Sequence, residues 1–223
     1  MNFTRLEGMR TRIKFCGITR AEDARAAVAC GADALGFVLV PESRRCVSLQ
    51  TAANLRAALP PFVAVVALLR NPGADQVREV IETVRPDLLQ FHGEEQESFC
   101  AGFGVPYLKA VAMGDLRQPL EAVARTYASA AALLLDGHVS GELGGRGARF
   151  DWTRVRDLGR PLILAGGLDA DNVAEAIRLA RPYAVDVSSG IEKDPSAAPG
   201  IKDSGKMAAF ARAVARADAM PNR

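Results

Sequence analysis

The sequence is poor in aromatic residues, in histidine and in charge of a single sign. Aromatic residues make up 6% of the 223 residues and there is one tryptophan, so the chain has few surfaces on which nucleic-acid bases could stack. The 28 basic and 26 acidic residues give a net charge of +2, which provides no field of one sign for a nucleic acid or a membrane surface. We therefore expect neither kind of partner.

Metal-binding patterns and targeting signals are also absent. The four cysteines form no Cys-x-x-Cys pair, and His92 and His138 lie far apart in the chain, so we predict no metal. The opening stretch MNFTRLEGMRTR lacks an apolar run, and no stretch of about 18 apolar residues occurs anywhere. The expectation is a soluble cytoplasmic protein with free thiols and no membrane contact.

Short apolar runs rich in β-branched residues alternate with helical segments along the chain. The eight runs are Ile13–Cys16, Ala34–Val40, Phe62–Leu69, Leu88–His92, Tyr107–Val111, Ala132–Asp136, Pro161–Ala165 and Ala184–Ser188. Helical spacing covers Ala21–Cys30, Asp75–Val84, Asp169–Ala180 and Ala208–Ala219. Continuous apolar character is typical of parallel strands that are buried on both faces. Thr19 followed by Glu22 predicts a capping box at the first helix.

Eight strand–helix units in one chain of this length predict an α/β protein with a single (β/α)8 TIM barrel. We place the barrel at residues 12–223 and a loose extension at residues 1–11. A doubly wound sheet would alternate in the same way, but it usually has fewer strands and often a glycine-rich first turn. No G-x-G-x-x-G motif follows the first strand here.

Two loops after neighbouring strands predict a phosphate site. In such a barrel the active site lies at the carboxyl ends of the strands. Gly166 and Gly167 end the seventh strand, and Ser188, Ser189 and Gly190 end the eighth. Glycine lets backbone N–H groups approach an anion, and a short helix after the eighth strand would direct its positive end toward it. The alternative is that these glycines only form tight turns.

Cys16 and Asp136 are the candidates for proton transfer. A cysteine is usually a small buried apolar residue, which is our expectation for Cys30 and Cys100. Cys16 differs because it ends the first strand at the predicted catalytic face, and Asp136 ends the apolar sixth strand, where it must be solvated, paired or used. A thiol and a carboxyl facing each other across a substrate would supply a base and an acid. The alternative for Asp136 is a structural salt bridge.

Lys14 lies two positions before Cys16, so both side chains point to the same side of the first strand. Asp186 lies in the eighth strand, which neighbours the first in a closed barrel. Because a buried lysine needs a partner, we predict a Lys14–Asp186 ion pair beneath the site and count Asp186 among the substrate-site residues. The lysine charge would then favour the Cys16 thiolate.

A pair of adjacent arginines, Arg44 and Arg45, follows the second strand. One of them could bind a substrate carboxylate through the planar fork of its guanidinium group. The alternative is a solvated charged loop.

Taken together, these stretches resemble the phosphoribosylanthranilate isomerase family of tryptophan biosynthesis. The matching pieces are KFCGITRAEDA, GADALGFVLVPESRR, LLQFHGEE, LLLDG followed by GGRGARFDW, LILAGGLDADNV, and YAVDVSSGIE with PGIKDSGKM. They extend from residue 12 to the last helix. The combination is highly specific, although no single piece is.

The resemblance implies an isomerase that carries out an Amadori rearrangement without a metal or an organic cofactor. Its substrate would be N-(5-phosphoribosyl)anthranilate and its product 1-(2-carboxyphenylamino)-1-deoxyribulose 5-phosphate. By resemblance, Asp136 is the general acid that opens the sugar ring and Cys16 is the base that removes the C2 proton. Arg45 would hold the anthranilate carboxylate, and the two glycine and serine loops would hold the phosphate.

The sequence departs from the family pattern at several positions. The family usually has a lysine in the loop after the sixth strand, and here Arg146 or Arg149 is expected to replace its charge. Cys46 stands where an aromatic residue often follows the arginine pair. We interpret His138 as a surface loop residue and His92 as a wall or hydrogen-bonding group of the substrate site.

Two other functions are compatible with a phosphate-binding barrel. The related histidine-pathway isomerase uses two aspartates, and Cys16 at the end of the first strand disfavours it. A barrel that binds phosphate but has lost its activity is disfavoured by the presence of both Cys16 and Asp136. Since the resembling family includes monomers and dimers, a monomer or a homodimer is expected.

Overall fold

The computed structural model describes residues 9–139 and 148–220 as a barrel of parallel strands surrounded by helices. The strands are β1 Arg12–Cys16, β2 Ala34–Val38, β3 Ala64–Leu69, β4 Leu88–Phe91, β5 Tyr107–Ala112, β6 Ala132–Asp136, β7 Leu162–Leu164 and β8 Ala184–Val187. The helices are α1 Ala21–Ala29, α2 Leu49–Ala57, α3 Ala74–Val84, α4 Glu97–Ala101, α5 Leu120–Thr126, α6 Val173–Ala180 and α7 Ser204–Ala219. Short 3₁₀ turns occupy Trp152–Arg154 and Ser189–Ile191.

The eight strands pair in chain order, and β8 closes the barrel against β1. All of the pairings are parallel, which confirms the predicted (β/α)8 barrel. In the β1–β8 register, Lys14 lies directly opposite Asp186. The closure therefore brings the first and last strands of the barrel together.

Alternate residues of each strand face two different environments. Ile13 and Phe15 of β1 belong to the large apolar layer between strands and helices, where the Phe15 ring lies 6.0 Å from that of Phe210 in α7. Lys14 and Cys16 point into the barrel instead, as the two-residue period predicts. The barrel interior is filled lower down by a separate group of apolar side chains that includes Leu108. Lys14 and Cys16 thus lie on the pocket side of a tightly packed apolar layer inside the barrel.

The capping box predicted at the first helix is wrong. The residue that precedes α1 is Arg20, and no side chain caps the helix. The Thr19 hydroxyl instead donates a hydrogen bond to the carbonyl oxygen of Gly200, 3.0 Å away. A contact between distant parts of the chain has replaced the local cap, and it ties the loop after β1 to the segment before α7.

Residues 10 and 11, which the sequence assigned to a loose extension, make specific contacts with the barrel. The Thr11 backbone N–H and hydroxyl each donate a hydrogen bond of 2.7 Å to the Asp218 carboxylate. Arg10 pairs with Asp33 at the start of β2. Residues 1–8 lie outside the described residues, so the looseness of that stretch stays a prediction. No helix in the described part of the chain is long and apolar enough to span a bilayer.

Candidate active site

A pocket opens at the carboxyl ends of the strands. Nine of the ten predicted site residues line it, namely Cys16, Arg45, His92, Asp136, Gly166, Gly167, Asp186, Ser188 and Ser189. The tenth, Gly190, is not in the lining but packs on Leu168, because a Cβ at this position would lie only 2.0 Å from the Leu168 carbonyl oxygen. Glycine therefore allows the loop after β8 to press against the loop after β7.

Lys14 and Asp186 form the predicted ion pair below the pocket. The Lys14 Nζ lies 2.9 Å from Asp186 Oδ1, and both side chains are almost completely buried. Although burial opposes the charged form, Asp186 and Cys16 together raise the pKa of Lys14. The prediction of the pair is confirmed, and a positive charge lies beneath the thiol.

The effect of this charge on Cys16 is smaller than the sequence led us to expect. Burial raises the pKa of the Cys16 thiol, and the positive charges of Lys14 and Lys202 only partly offset it. Lys14 does favour the thiolate, but the net direction of the shift is upward. In the free protein near neutral pH, the thiol form therefore predominates.

Gly36 of β2 makes room for the thiol and the lysine. It is paired with Cys16 in the sheet, and a Cβ at this position would lie 2.8 Å from Cys16 Sγ and 3.1 Å from Lys14 Nζ. Glycine inside a strand often marks such a close approach. The signal is present in the stretch GADALGFV, although Gly36 was not among the predicted site residues.

Replacing Gly36 by alanine is expected to lower kcat by about 10- to 100-fold, because a catalytic group displaced by about 1 Å can lose that much. The measurement is steady-state kinetics with a thermal unfolding curve of the same variant. Gly73→Ala is the matched control, since an added Cβ there would meet no atom within 4 Å beyond its chain neighbours and the φ of Gly73 is −72°. Equal kcat values for the two variants would contradict the role assigned to Gly36.

Asp136 lies between two histidines, and the structure overturns our interpretation of His138 as a surface residue. His138 is 8% exposed, and its Nδ1 lies 3.4 Å from Asp136 Oδ1. The Nε2 of His92 lies 3.7 Å from Asp136 Oδ2. Burial alone would raise the pKa of Asp136, but the interactions with His138 and His92 outweigh it and lower the pKa.

His92 is held in place by the strand that carries it. Its Nδ1 lies 3.1 Å from Gln90 Nε2, and its ring stacks on that of His138 with a centroid distance of 4.7 Å. Burial lowers the pKa of His92 to about 4, so its imidazole is neutral near neutral pH. It is a wall of the pocket, as the sequence suggested, and it also faces the predicted acid.

The two glycines after β7 adopt left-handed backbone conformations. Gly166 and Gly167 adopt φ values of +83° and +63°, which side chains larger than hydrogen disfavour. A Cβ on Gly166 would also lie 2.4 Å from the Gly137 nitrogen. After β8, the short helix expected from the sequence is a single 3₁₀ turn, Ser189–Ile191.

Arg45 rather than Arg44 turns toward the pocket. Arg44 is exposed, and its Nη2 donates a hydrogen bond of 3.2 Å to the Ser196 carbonyl oxygen. Arg45 forms a two-pronged contact with Glu192, at 2.6 Å from Nε to Oε1 and 3.0 Å from Nη2 to Oε2. The carboxylate of Glu192 is fully buried, so it fixes the guanidinium group at the pocket edge.

Lys202 is a buried cation that was not among the predicted site residues, although it lies in the matching piece PGIKDSGKM. Its Nζ donates hydrogen bonds to the Ser188 carbonyl oxygen at 3.0 Å and to Glu192 Oε1 at 3.2 Å. Burial lowers the pKa of Lys202. The residue joins the loop after β8 to Glu192, and through it to Arg45.

Arg149 links two loops of the pocket rim, and the other charged candidate of its loop, Arg146, lies outside the described residues. Arg149 Nε donates a hydrogen bond of 3.1 Å to the Gly167 carbonyl oxygen, and its Nη2 lies 3.0 Å from Asp169 Oδ2. Cys46 is exposed. Cys46 therefore does not supply the aromatic ring that often follows the arginine pair in the family.

The side of the pocket under β2 and β3 is apolar. Val38, Val40 and Leu68 pack together with Cys16 there, and Arg70 lines the pocket at the end of β3. None of these except Cys16 was among the predicted site residues. Cys100 is buried as expected, whereas Cys30 is only partly buried.

The His92, Asp136 and His138 side chains are the described residues whose spacing most resembles a metal site, with donor atoms within 4.8 Å of one another. However, the two imidazole planes are inclined by only 27° and stack face to face. The lone pairs lie in the ring planes, so those of stacked rings do not converge on one ion. The arrangement is better suited to sharing protons with the carboxylate, and the absence of a metal remains a prediction.

The comparison with known proteins identifies the family. The profile described as N-(5'phosphoribosyl)anthranilate (PRA) isomerase matches residues 13–213. The chain belongs to this family. A family member from Stenotrophomonas maltophilia (strain R551-3), an N-(5'-phosphoribosyl)anthranilate isomerase, is 53% identical over 214 residues, which cover 94% of this chain and 95% of the relative.

Two solved structures of phosphoribosyl anthranilate isomerases superimpose on this family member. The crystal structure from Thermus thermophilus is 39% identical, with a TM-score of 0.80, and the match covers 92% of this chain and 99% of that one. A second crystal structure is a complex with reduced 1-(o-carboxyphenylamino)-1-deoxyribulose 5-phosphate. It is 35% identical, with a TM-score of 0.78, and the match covers 92% of this chain and 99% of that one.

Proposed function

We propose that Cys16 and Asp136 divide between them the proton transfers of the family reaction, the Amadori rearrangement of N-(5-phosphoribosyl)anthranilate. The chain is an isomerase of tryptophan biosynthesis by family membership. One observation carries the assignment: Cys16 at the end of β1 and Asp136 at the end of β6 line one pocket together with the loops after β7 and β8. Base, acid and anion-binding loops thus surround one cavity.

In the first step, Asp136 protonates the furanose ring oxygen while the bond between that oxygen and C1 breaks. The electron pair on the anthranilate nitrogen forms a C=N bond at C1, which leaves a cationic imine. The Cys16 thiolate then removes the C2 proton, and the C–H electrons flow toward the nitrogen. The resulting enolamine tautomerises to the ketone. Each group acts in general acid–base catalysis, for which rate effects of about 10²- to 10⁴-fold are typical.

The pocket offers a position for each of the two anionic ends of the substrate. We assign the phosphate to the loops containing Gly166, Gly167 and Ser188–Gly190, and the buried Lys202 beneath the Ser188 carbonyl supports this by its charge. The anthranilate ring is assigned to the apolar side under β2 and β3, with its carboxylate on Arg45. Since Glu192 holds Arg45, the guanidinium group is positioned before the substrate binds.

Lys14→Met is expected to move the pH dependence of kcat/KM to higher pH. A base must be deprotonated, so activity rises with pH through the pKa of Cys16, and Lys14 is the first charge that lowers this pKa. Losing a neighbouring opposite charge typically changes a pKa by roughly 1–3 units. Asp186→Asn, which removes a charge that raises the Cys16 pKa, is the paired control and should shift the profile in the opposite direction. An unmoved profile in Lys14→Met would refute this electrostatic role.

The direct test is the decay of substrate fluorescence on addition of the purified wild-type protein. Turnover to the carboxyphenylamino ketose is the expected result, with the product identified by mass spectrometry and chromatography. Saturable binding without turnover would indicate a phosphate-binding barrel that lacks the activity. The same assay after dialysis against a chelator is expected to give an unchanged rate, because none of the proposed steps uses a metal or an organic cofactor.

We also propose that the protein acts on a small-molecule substrate in the cytoplasm. It does so as a monomer or as a homodimer. All four cysteines are free, as is usual in compartments that keep thiols reduced. Sedimentation equilibrium at several protein concentrations distinguishes the two oligomeric states.

A further inference from the structure

The imidazole of His138 is fixed against the carboxylate of Asp136 by its own backbone. The His138 N–H donates a hydrogen bond of 3.2 Å to Asp136 Oδ1, the same oxygen that its Nδ1 approaches at 3.4 Å. The loop after β5 holds the turn, since the Gly114 N–H donates a hydrogen bond of 3.1 Å to the His138 carbonyl oxygen. A Cβ on Gly137 would lie 2.1 Å from the Ala148 carbonyl oxygen, so the turn is also packed tightly on its other side.

The imidazole of His92 faces the other oxygen of the same carboxylate, Asp136 Oδ2. Its Nδ1 lies 3.1 Å from the Gln90 amide nitrogen, and its Nε2 faces Asp136 Oδ2 at 3.7 Å, beyond hydrogen-bond distance. Burial lowers the pKa of His92 to about 4, so this ring does not take up a second proton near neutral pH. His92 is therefore neutral near neutral pH and does not act as a cationic source of the acid proton.

A general acid must hold a proton before the reaction begins, which poses a problem for Asp136. Burial opposes ionisation, but the interactions with the two imidazoles outweigh it and lower the pKa of Asp136, so this carboxyl group is ionised near neutral pH. Of the two rings in contact with it, only His138 is left to supply the missing proton. Histidine is the side chain that most readily gains and loses a proton near neutral pH.

We propose that Asp136 and His138 hold the acid proton jointly, so that His138 is a positioning residue that stores the proton which Asp136 delivers to the sugar ring oxygen. This inference rests on the proposed role of Asp136 as the general acid. It goes beyond that role because it assigns the source of the proton to a residue with no other function in the mechanism.

The proton transfer balances without any additional reactant. As the C1–oxygen bond breaks, the ring oxygen keeps the electron pair and takes a proton from the Asp136 carboxyl group. The proton on His138 Nδ1 moves to the carboxylate as this happens, so the pair ends as a neutral imidazole and an ionised carboxylate. Cys16 gains the C2 proton in the same turnover, and exchange with water then restores both groups.

Charged groups on several other strands also influence the pKa of Asp136, directly or through His92. Those from other strands that interact with Asp136 or with His92 are Lys14 of β1, Lys109 of β5 and Asp186 of β8. Lys109 is already paired with Glu95 at 2.8 Å, and Lys14 with Asp186 at 2.9 Å. Their charges are largely compensated, and among the described residues the ionisable side chains in contact with the carboxylate are His138 and His92.

The deciding experiment is the pH dependence of kcat for His138→Asn. The amide nitrogen of asparagine can occupy the place of Nδ1 and donate to Asp136, but it does not titrate. We expect a loss of roughly 10-fold at pH 6 that grows to roughly 10²-fold at pH 8, because the carboxyl must now hold the proton alone. Val139→Ala, at an exposed neighbouring position, is the control and should match wild type at every pH.

Two results would overturn the proposal. A loss in His138→Asn that is the same at every pH would show that the ring only packs against the carboxylate. A gain at alkaline pH would show that the His138 ring does not pass a proton on to the sugar through Asp136. If that variant does not fold, His138→Gln takes its place, because its amide also does not titrate, and a loss that is the same at every pH would again refute the proposal.

The same series separates this proposal from the assignment of the acid. If Asp136→Asn retains wild-type activity, Asp136 is not the acid and the proposed function is wrong in that respect. If Asp136→Asn is inactive while His138→Asn shows a uniform loss, Asp136 remains the acid and only the proton-storing role of His138 fails.

Discussion

Cys16→Ala is expected to lower kcat by about 10²- to 10⁴-fold, the range typical of losing a general base. The sugar ring can still open in this variant, but no group remains at the end of β1 to take the C2 proton. KM should change little, because the phosphate and the anthranilate carboxylate bind elsewhere in the pocket. A fall in kcat and in kcat/KM by the same factor is the pattern of an interaction made only in the transition state.

The control for this variant removes a thiol that lies outside the pocket. Cys46 is exposed in the loop after β2, and Cys46→Ala exchanges the same two side chains without touching the site. It should retain wild-type kcat and the same unfolding temperature. If Cys16→Ala were as active as Cys46→Ala, Cys16 would be a packing residue, and the mechanism would fail even though family membership would stand.

The strands were the most predictable part of the fold. Parallel strands with helices outside and a packed core inside have no solvent-facing side, so their sequences read as continuous apolar runs. Their ends were less certain: the run beginning at Phe62 becomes a strand only at Ala64. Phe62 is fully exposed with a φ of +69°, so the chain turns there before β3 begins. Apolarity alone did not reveal that turn.

The helix starts were harder to predict because side chains in loops can bind more distant partners. α6 was expected from Asp169 but begins at Val173, since the Asp169 carboxylate accepts hydrogen bonds from the N–H groups of Asp171 and Asn172 in the preceding turn. Thr19, expected to cap α1, binds Gly200 instead. Local sequence identified residues able to cap a helix, and tertiary contacts decided which ones do.

Part of the site followed from simple geometry. The Lys14–Asp186 pair was predictable because side chains alternate along a strand and because a closed barrel makes the first and last strands neighbours. His138 was not predictable in this way. It lies beyond the end of β6, and its direction depends on the turn at Gly137 and on the contact with Gly114. No periodicity extends past the end of a strand.

The contacts that hold Arg45 could not be predicted from the sequence either. Glu192 and Lys202 come from a segment far along the chain, and only the folded barrel brings them to the loop after β2. A sequence pattern identifies an arginine suited to binding a carboxylate, but it does not show which buried acid holds that arginine before the substrate arrives.

Asp136→Asn is the second variant with a large expected effect, a loss in kcat of about 10²- to 10⁴-fold through removal of the general acid. Asparagine has nearly the same shape and can keep contacts with His92 and His138, so the fold should be retained. The amide cannot supply a proton to the ring oxygen at any pH. The loss should therefore persist across the pH range, unlike the loss in a variant that only alters the pKa of the acid.

An isotope effect distinguishes the two catalytic steps. With deuterium at C2 of the sugar, a variant that slows proton removal by Cys16, such as Lys14→Met, should turn over the labelled substrate more slowly than the unlabelled one. Asp136→Asn should show no such difference, because ring opening precedes C–H cleavage and becomes the slow step. A large isotope effect in Asp136→Asn would mean that ring opening does not depend on Asp136. The acid would then have to be sought among the other groups that line the pocket.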